Sequence, residues 1–174
     1  MSVPMSHYLR SGILLGCTLL LFRPAQSALS PLPGGFILVG TPERYGLPEQ
    51  KLANGSIFDY MDGGGIVYLD HGFRELVHCE FANSRNGLIT FDRFIMENVT
   101  QALAALADER IAPQGGVPLS LNSPNKAYRF PPDYFIYMVW DRHLVYLHVN
   151  DDHLAETLDQ FAADVLKSLK EEKE

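Results

Sequence analysis

Two β-rich stretches, Glu75 to Phe81 and Leu88 to Met96, are separated by six residues that end in Asn86-Gly87, and Asn-Gly between such runs is a strong hairpin signal. The spacing predicts two antiparallel strands joined by a tight turn. A second pair follows, Tyr134 to Trp140 and His143 to Asn150, with Asp141-Arg142 as its turn. On that register Phe135, Tyr137 and Val139 share one face with Leu144, Tyr146 and His148, while Ile136, Met138, Val145 and Leu147 line the other. Shorter strands are expected at Val117 to Leu121 and Ala127 to Phe130. Asn98 followed by Gln101 resembles a capping box and opens a helix from Val99 to about Arg110, with Ala102, Leu103, Leu106 and Ala107 turned inward. Asp152 to Lys170 repeats Leu154, Leu158, Phe161, Ala162, Val165 and Leu169 at helical spacing, which makes a core-facing stripe suited to the second face of the late hairpin. Strands joined by short turns and mixed with helices give an α+β fold, an antiparallel sheet with about three helices packed against it.

The segment Ile57 to Asp70 is the ambiguous one. At 100° per residue Ile57, Phe58, Met61, Tyr68 and Leu69 fall on one side with Gly64 and Gly65, and Asp59, Asp62 and Asp70 on the other with Ile66. That segregation favours a helix. Gly63-Gly64-Gly65 opposes it, at about 1 kcal/mol per glycine relative to alanine, and a hairpin turning at Asp62-Gly63 is the competing reading. A helix here requires a closely apposed neighbour, since glycine is most useful where another backbone or a ligand comes near.

Ahead of these elements Arg10, an apolar run from Ile13 to Phe22, and Pro24-Ala25-Gln26-Ser27 have the order of a secretory leader cut between Ser27 and Ala28. The run is too short for a spanning helix, which needs about 20 apolar residues. A lipoprotein reading rests on Leu14-Leu15-Gly16-Cys17. Residues 28–35, rich in Pro, Gly and Ser, read as a tether, and 36–174 as one unit. Export removes Arg10 and Arg23 from the 14 basic residues and none of the 21 acidic ones, taking the net charge from −7 to −9. Nucleic acid and anionic membrane surfaces are therefore poor partners, because phosphate binding rests on clustered Lys and Arg. No membrane span is expected in the mature chain. Cys79 is left as the one thiol, so no internal disulfide can form.

Tyr60-Met61-Asp62-Gly63-Gly64-Gly65-Ile66-Val67-Tyr68-Leu69, then His71-Gly72-Phe73, resembles the signature of an uncharacterised family of exported bacterial proteins. Its members carry a Tyr-Ile-Asn-Gly-Gly-Ala-Glu-Leu-Tyr type segment, a Tyr-Gly-Phe, a strand ending in Met and a helix soon after, which correspond here to Ile89 to Met96 and Gln101-Ala102-Leu103. The resemblance spans most of 45–170. Asp62 and Ile66 stand where the family usually has Asn and often Glu, and the stretch between second helix and last hairpin is shorter here. The resemblance implies export and a fold, and no particular activity.

Candidate chemistry is sparse. Asp59, Asp62 and Asp70 offer oxygen ligands for a hard cation or an acid and base pair, although charges opposite an apolar stripe are ordinarily a solvated face. His71, His78, His143, His148 and His153 show no zinc-ligand spacing. His78 and Cys79, adjacent on a strand, face opposite ways, and Cys79 sides with Val77 and Phe81 as a buried thiol. Gly-x-Ser-x-Gly and a phosphate loop are missing from the exported part. Asn54-Gly55-Ser56 and Asn98-Val99-Thr100 match the glycosylation pattern, and Asn98 reads better as a cap. The first reading is a non-catalytic envelope module, with no metal or other cofactor, that binds a protein or small molecule through Asp59, Asp62, Tyr68, Tyr137, Tyr146 and His148. The alternatives are a carboxylate-dependent hydrolase on Asp59 and Asp62, with or without a divalent ion, and an envelope component lipid-anchored at Cys17. For the aromatic face of the late hairpin, a second core layer beneath the Gly-rich helix is the competing role.

Overall fold

The computed structural model describes residues 35–172. The leader, the cut at Ser27, Cys17 and all but the last residue of the tether lie outside the described residues.

Six antiparallel strands form one sheet: β1 (Ile37–Tyr45), β2 (Phe73–Ala82), β3 (Leu88–Met96), β4 (Asn125–Phe130), β5 (Asp133–Trp140) and β6 (His143–Val149), in the order β1-β2-β3-β6-β5-β4. The fold is α+β, as the turn chemistry predicts. Asn86 takes the positive φ of 63° that its turn needs, and Asp141 does the same at 51° in the later hairpin. β3 and β6, the second strand of each hairpin, pair at the centre and join the two units.

Helix α4 (Ala155–Glu171) packs on one face of this sheet. Its Leu158, Phe161, Val165 and Leu169 are buried among Val77, Cys79, Phe81, Phe91, Ile136, Met138, Val145 and Leu147. Full burial of one such side chain stabilises by about 1.5–3 kcal/mol, so this stripe alone fixes which side of each strand is core. The opposite face carries the Gly-rich segment and α3 (Val99–Ala107), over a second core that includes Ile57, Phe73, Leu76, Phe94, Met96, Ala102, Leu106, Val139 and Leu144.

The Gly-rich segment is neither one helix nor a hairpin. It runs as α1 (Ile57–Met61), a 3-10 turn over Asp62–Gly64, and α2 (Gly65–Asp70). The break falls at Asp62, whose φ of 47° is one that L residues adopt at a cost. Gly65 is the glycine that packing demands, for a Cβ there would stand 3.0 Å from Cγ2 of Ile57. At Gly63 and Gly64 it would meet open space.

Three further expectations are corrected. Val117–Leu121 is not a strand; Val117 makes a single bridge to Ala127, and Asn125 bonds the Leu119 backbone instead of a ladder. Pro118, which has no N–H, accounts for the interruption. Helix α3 stops at Ala107 because Asp108 leaves the helical region, and its inward residues are Ala102, Ala105 and Leu106, with Leu103 and Ala107 exposed. Asn98 does cap it, accepting from the Gln101 N–H at 3.0 Å. Strand β1 has no counterpart among the expected elements. Pro42 and Gly40 suit an irregular edge, and the register shift between Val39 and Glu43 is such an irregularity.

Candidate functional site

Directly opposed residues in antiparallel strands share a face. Following the pairing from strand to strand therefore traces one row across the whole sheet: Glu43 on β1, His78 on β2, Asp92 on β3, Tyr146 on β6, Tyr137 on β5 and Lys126 on β4. On one side of this row lies the apolar row Tyr45, Leu76, Phe94, Leu144 and Val139, beneath the helices. On its other side lie Val39, Glu80, Thr90, His148, Phe135 and Tyr128. Glu80, Thr90, His148 and Phe135 in that third row are half-buried, and only Tyr128 is closed off, its hydroxyl donating to the Pro113 carbonyl. The face thus grades from dry core through a polar row to a partly wet aromatic edge.

Asp92 anchors the polar row. It is 4% exposed, and a buried carboxylate costs several kcal/mol unless it is hydrogen-bonded. His78 Nδ1 donates to Oδ1 at 2.7 Å, and the Tyr60 hydroxyl of α1 donates to the same carboxylate at 2.9–3.0 Å. The Asp92 bond raises the His78 pKa against the opposing effect of burial. Tyr60 also leans on the rings of Tyr45 and His78, with centroids 5.1 and 5.0 Å apart, and Tyr45 donates to Glu43. The Asp62 break lets α1 deliver Tyr60 to this cluster and α2 deliver Tyr68 beyond it.

Tyr68 stacks on Phe94 with centroids 4.1 Å apart, and Tyr137 and Tyr146 lie ring to ring at 4.9 Å. Burial first, then the charge of Asp92 and then Tyr146, raises the Tyr68 pKa; burial first, and neighbouring Tyr68, raises that of Tyr137. Burial and Asp92 push Tyr146 up to about 12. All three are neutral phenols at ordinary pH. None of their hydroxyls has a hydrogen-bond partner among the described residues. Each keeps a donor and two lone pairs in reserve.

The other expected site residues lie elsewhere or are already engaged. Asp59 is exposed and closes the α1 capping box, accepting from the Ser56 N–H and hydroxyl at 2.8 and 2.9 Å, with Lys51 at 3.6 Å; the Ser56 bonds lower its pKa. Asp62 is exposed at the helix break, and Asp70 pairs with Arg110 at 3.4 Å. Neither Asp59 nor Asp62 stands beside a histidine. His148, stacked with Tyr146 at 6.2 Å, is tied to Asp133 at 2.8 Å. Tyr68, Tyr137 and Tyr146 are the expected residues that the fold gathers around one centre. Asp151, Asp152 and His153 are the group among the described residues able to point three ligand atoms at a metal. Asp151 is committed to the His153 N–H and Asp152 to Arg129.

Cys79 is buried on the α4 side, and burial raises its thiol to about 11. It therefore lies on the opposite face of the sheet from the polar row. Among the described residues no helix is long and apolar enough to cross a membrane. Compared with protein-family models, with curated proteins and with solved structures, the chain shows no match.

Proposed function

We propose that this is an exported, non-catalytic binding module of the bacterial envelope, allied to the family that its Gly-rich signature resembles, and that the Tyr68, Tyr137, Tyr146 face receives a small ligand. The observation that carries this reading is the set of three neutral phenols, held by ring contacts and without a hydroxyl partner among the described residues, beside a carboxylate bonded to Tyr60 and His78. Groups kept unpaired near a partly open aromatic edge are what a pocket offers a ligand that supplies the missing contacts. Tyr60, His78 and Asp92 form a closed network that holds the floor in place. The hydrolase reading draws no comparable support, as Asp59 is occupied in a helix cap and Asp62 faces solvent. Lipid anchoring at Cys17 is decided by the mature N-terminus, where mass spectrometry finding Ala28 first excludes it.

Native purification from the envelope, followed by mass spectrometry of retained small molecules, tests binding. The wild-type chain is expected to retain a compound that a folded Y137L/Y146L variant does not. Equal recovery from both, or none from either, refutes the reading.

A further inference from the structure

Resting on the binding reading, we infer that the ligand of this face carries an organic ammonium group, seated against the Tyr68, Tyr137 and Tyr146 rings within the field of Asp92. Electron-rich ring faces and phenol oxygens attract a cation, and clustered tyrosines are the usual receptor for alkylated ammonium groups. The fixed charges around the row have the matching sign. Glu43 and Asp92 stand in it, Glu80 stands in the neighbouring row, and Asp133 flanks that row through His148. The basic groups in the two rows are His78, His148 and Lys126; in the helices over the same face and the turns flanking them, Lys51, His71 and Arg110 are each paired with an aspartate. His78 is bonded to Asp92, His148 to Asp133, and the Lys126 ammonium donates to the Ala112 carbonyl at 3.3 Å. No arginine stands in either row. An anionic ligand would meet Asp92, and Lys126, at the β4 end of the row, is the one lysine or arginine in either row among the described residues. A neutral ligand would leave the field unused.

The sharpest probe is choline against 3,3-dimethylbutan-1-ol, which has its shape with carbon in place of the charged nitrogen. Titrations of the folded chain, followed through tyrosine ring signals by NMR, are expected to show choline binding at least roughly tenfold more tightly than the neutral isostere. Y137L and Y146L are each expected to weaken choline by about tenfold, whereas Y137F and Y146F, which keep the ring, stay within about threefold. Affinity is also expected to rise between pH 6 and 8, because a protonated His78 competes with the ligand for the field of Asp92. Retained circular dichroism shows that each variant is folded. Equal binding of choline and the isostere, preference for methyl glucoside or acetate, or no choline binding overturns the ammonium assignment. Such results leave the binding reading to the retention experiment, so the two can fail separately.

Discussion

Replacing Asp92 tests whether the polar row is organised as described, because its carboxylate is the shared acceptor for two side chains from different elements. In Asp92→Ala the Tyr60 hydroxyl and the His78 Nδ1–H both lose that acceptor. An unsatisfied buried donor costs about 1–3 kcal/mol, and since both side chains keep some contact with water the sum falls near 3 kcal/mol. For a domain of this size that lowers Tm by about 10 °C. Asp92→Asn is expected to be milder at pH 8, about 1 kcal/mol, because the amide oxygen still accepts from Tyr60 while its NH2 donates to a deprotonated Nδ1. The sign with pH follows from the raised pKa of His78. A histidine whose folded value exceeds its unfolded value of about 6.5 contributes stability that is complete below that value and fades as pH climbs through the folded one. The gap between wild type and either variant must therefore narrow from pH 6 to 8.5. Urea titrations followed by the fluorescence of Trp140, the one tryptophan, measure it. A gap that stays flat with pH, or an alanine variant within 1 kcal/mol of wild type at pH 6, refutes the network.

Three other outcomes follow from the same packing. His143 is half-buried, its Nδ1 closed off without a partner among the described residues, and burial followed by Arg93 and Arg142 lowers its pKa to about 4. A folded value below the unfolded one means stability lost as pH falls from about 6.5 to 4, at most about 3 kcal/mol, so H143L should gain on wild type over that range in urea titrations. Parallel profiles would contradict this. Gly63→Ala and Gly64→Ala place a methyl in open space at helical backbone and should each raise Tm by a few degrees, while Gly65→Ala meets Ile57 and Phe58 and should lower it by about 1–3 kcal/mol worth. The reverse order in thermal melts would sink the account of the segment. Cys79 should resist a thiol reagent at pH 7.5 until urea unfolds the chain, and rapid labelling of the native protein would show that its burial is wrong.

What the sequence disclosed and what it hid divide along local and non-local pairing. Counting outward in equal steps from Asp141-Arg142 sets Tyr137 opposite Tyr146, as in the structure, whereas the same count from Phe81 and Leu88 sets His78 opposite Phe91; the structure turns over residues 83–87 and sets His78 opposite Asp92. Asp92, a lone acid at an alternating position between Thr90 and Phe94, comes opposite His78 only once that one-residue difference in turn length is known. The union of the two hairpins through β3 and β6 has no such counter, since the chain between them carries α3, a long loop and β4 and sets no register of its own. Without that union nothing in the sequence places Tyr146 beside Asp92. Strand β1 was hidden for a different reason: Gly40 and Pro42 erase the alternation that marks a strand, yet the irregularity they create is what sets Glu43 opposite His78. The Gly-rich segment reads as a choice between helix and turn because its periodicity and its glycines are both real. Ile57, Phe58 and Tyr68 keep their shared side through the break, and the left-handed Asp62 breaks the helix between Tyr60 and Tyr68. A continuous helix would hold those two tyrosines in one fixed spacing; the broken one lets Tyr60 reach Asp92 while Tyr68 lies flat on Phe94. The strain at Asp62 therefore belongs to the site.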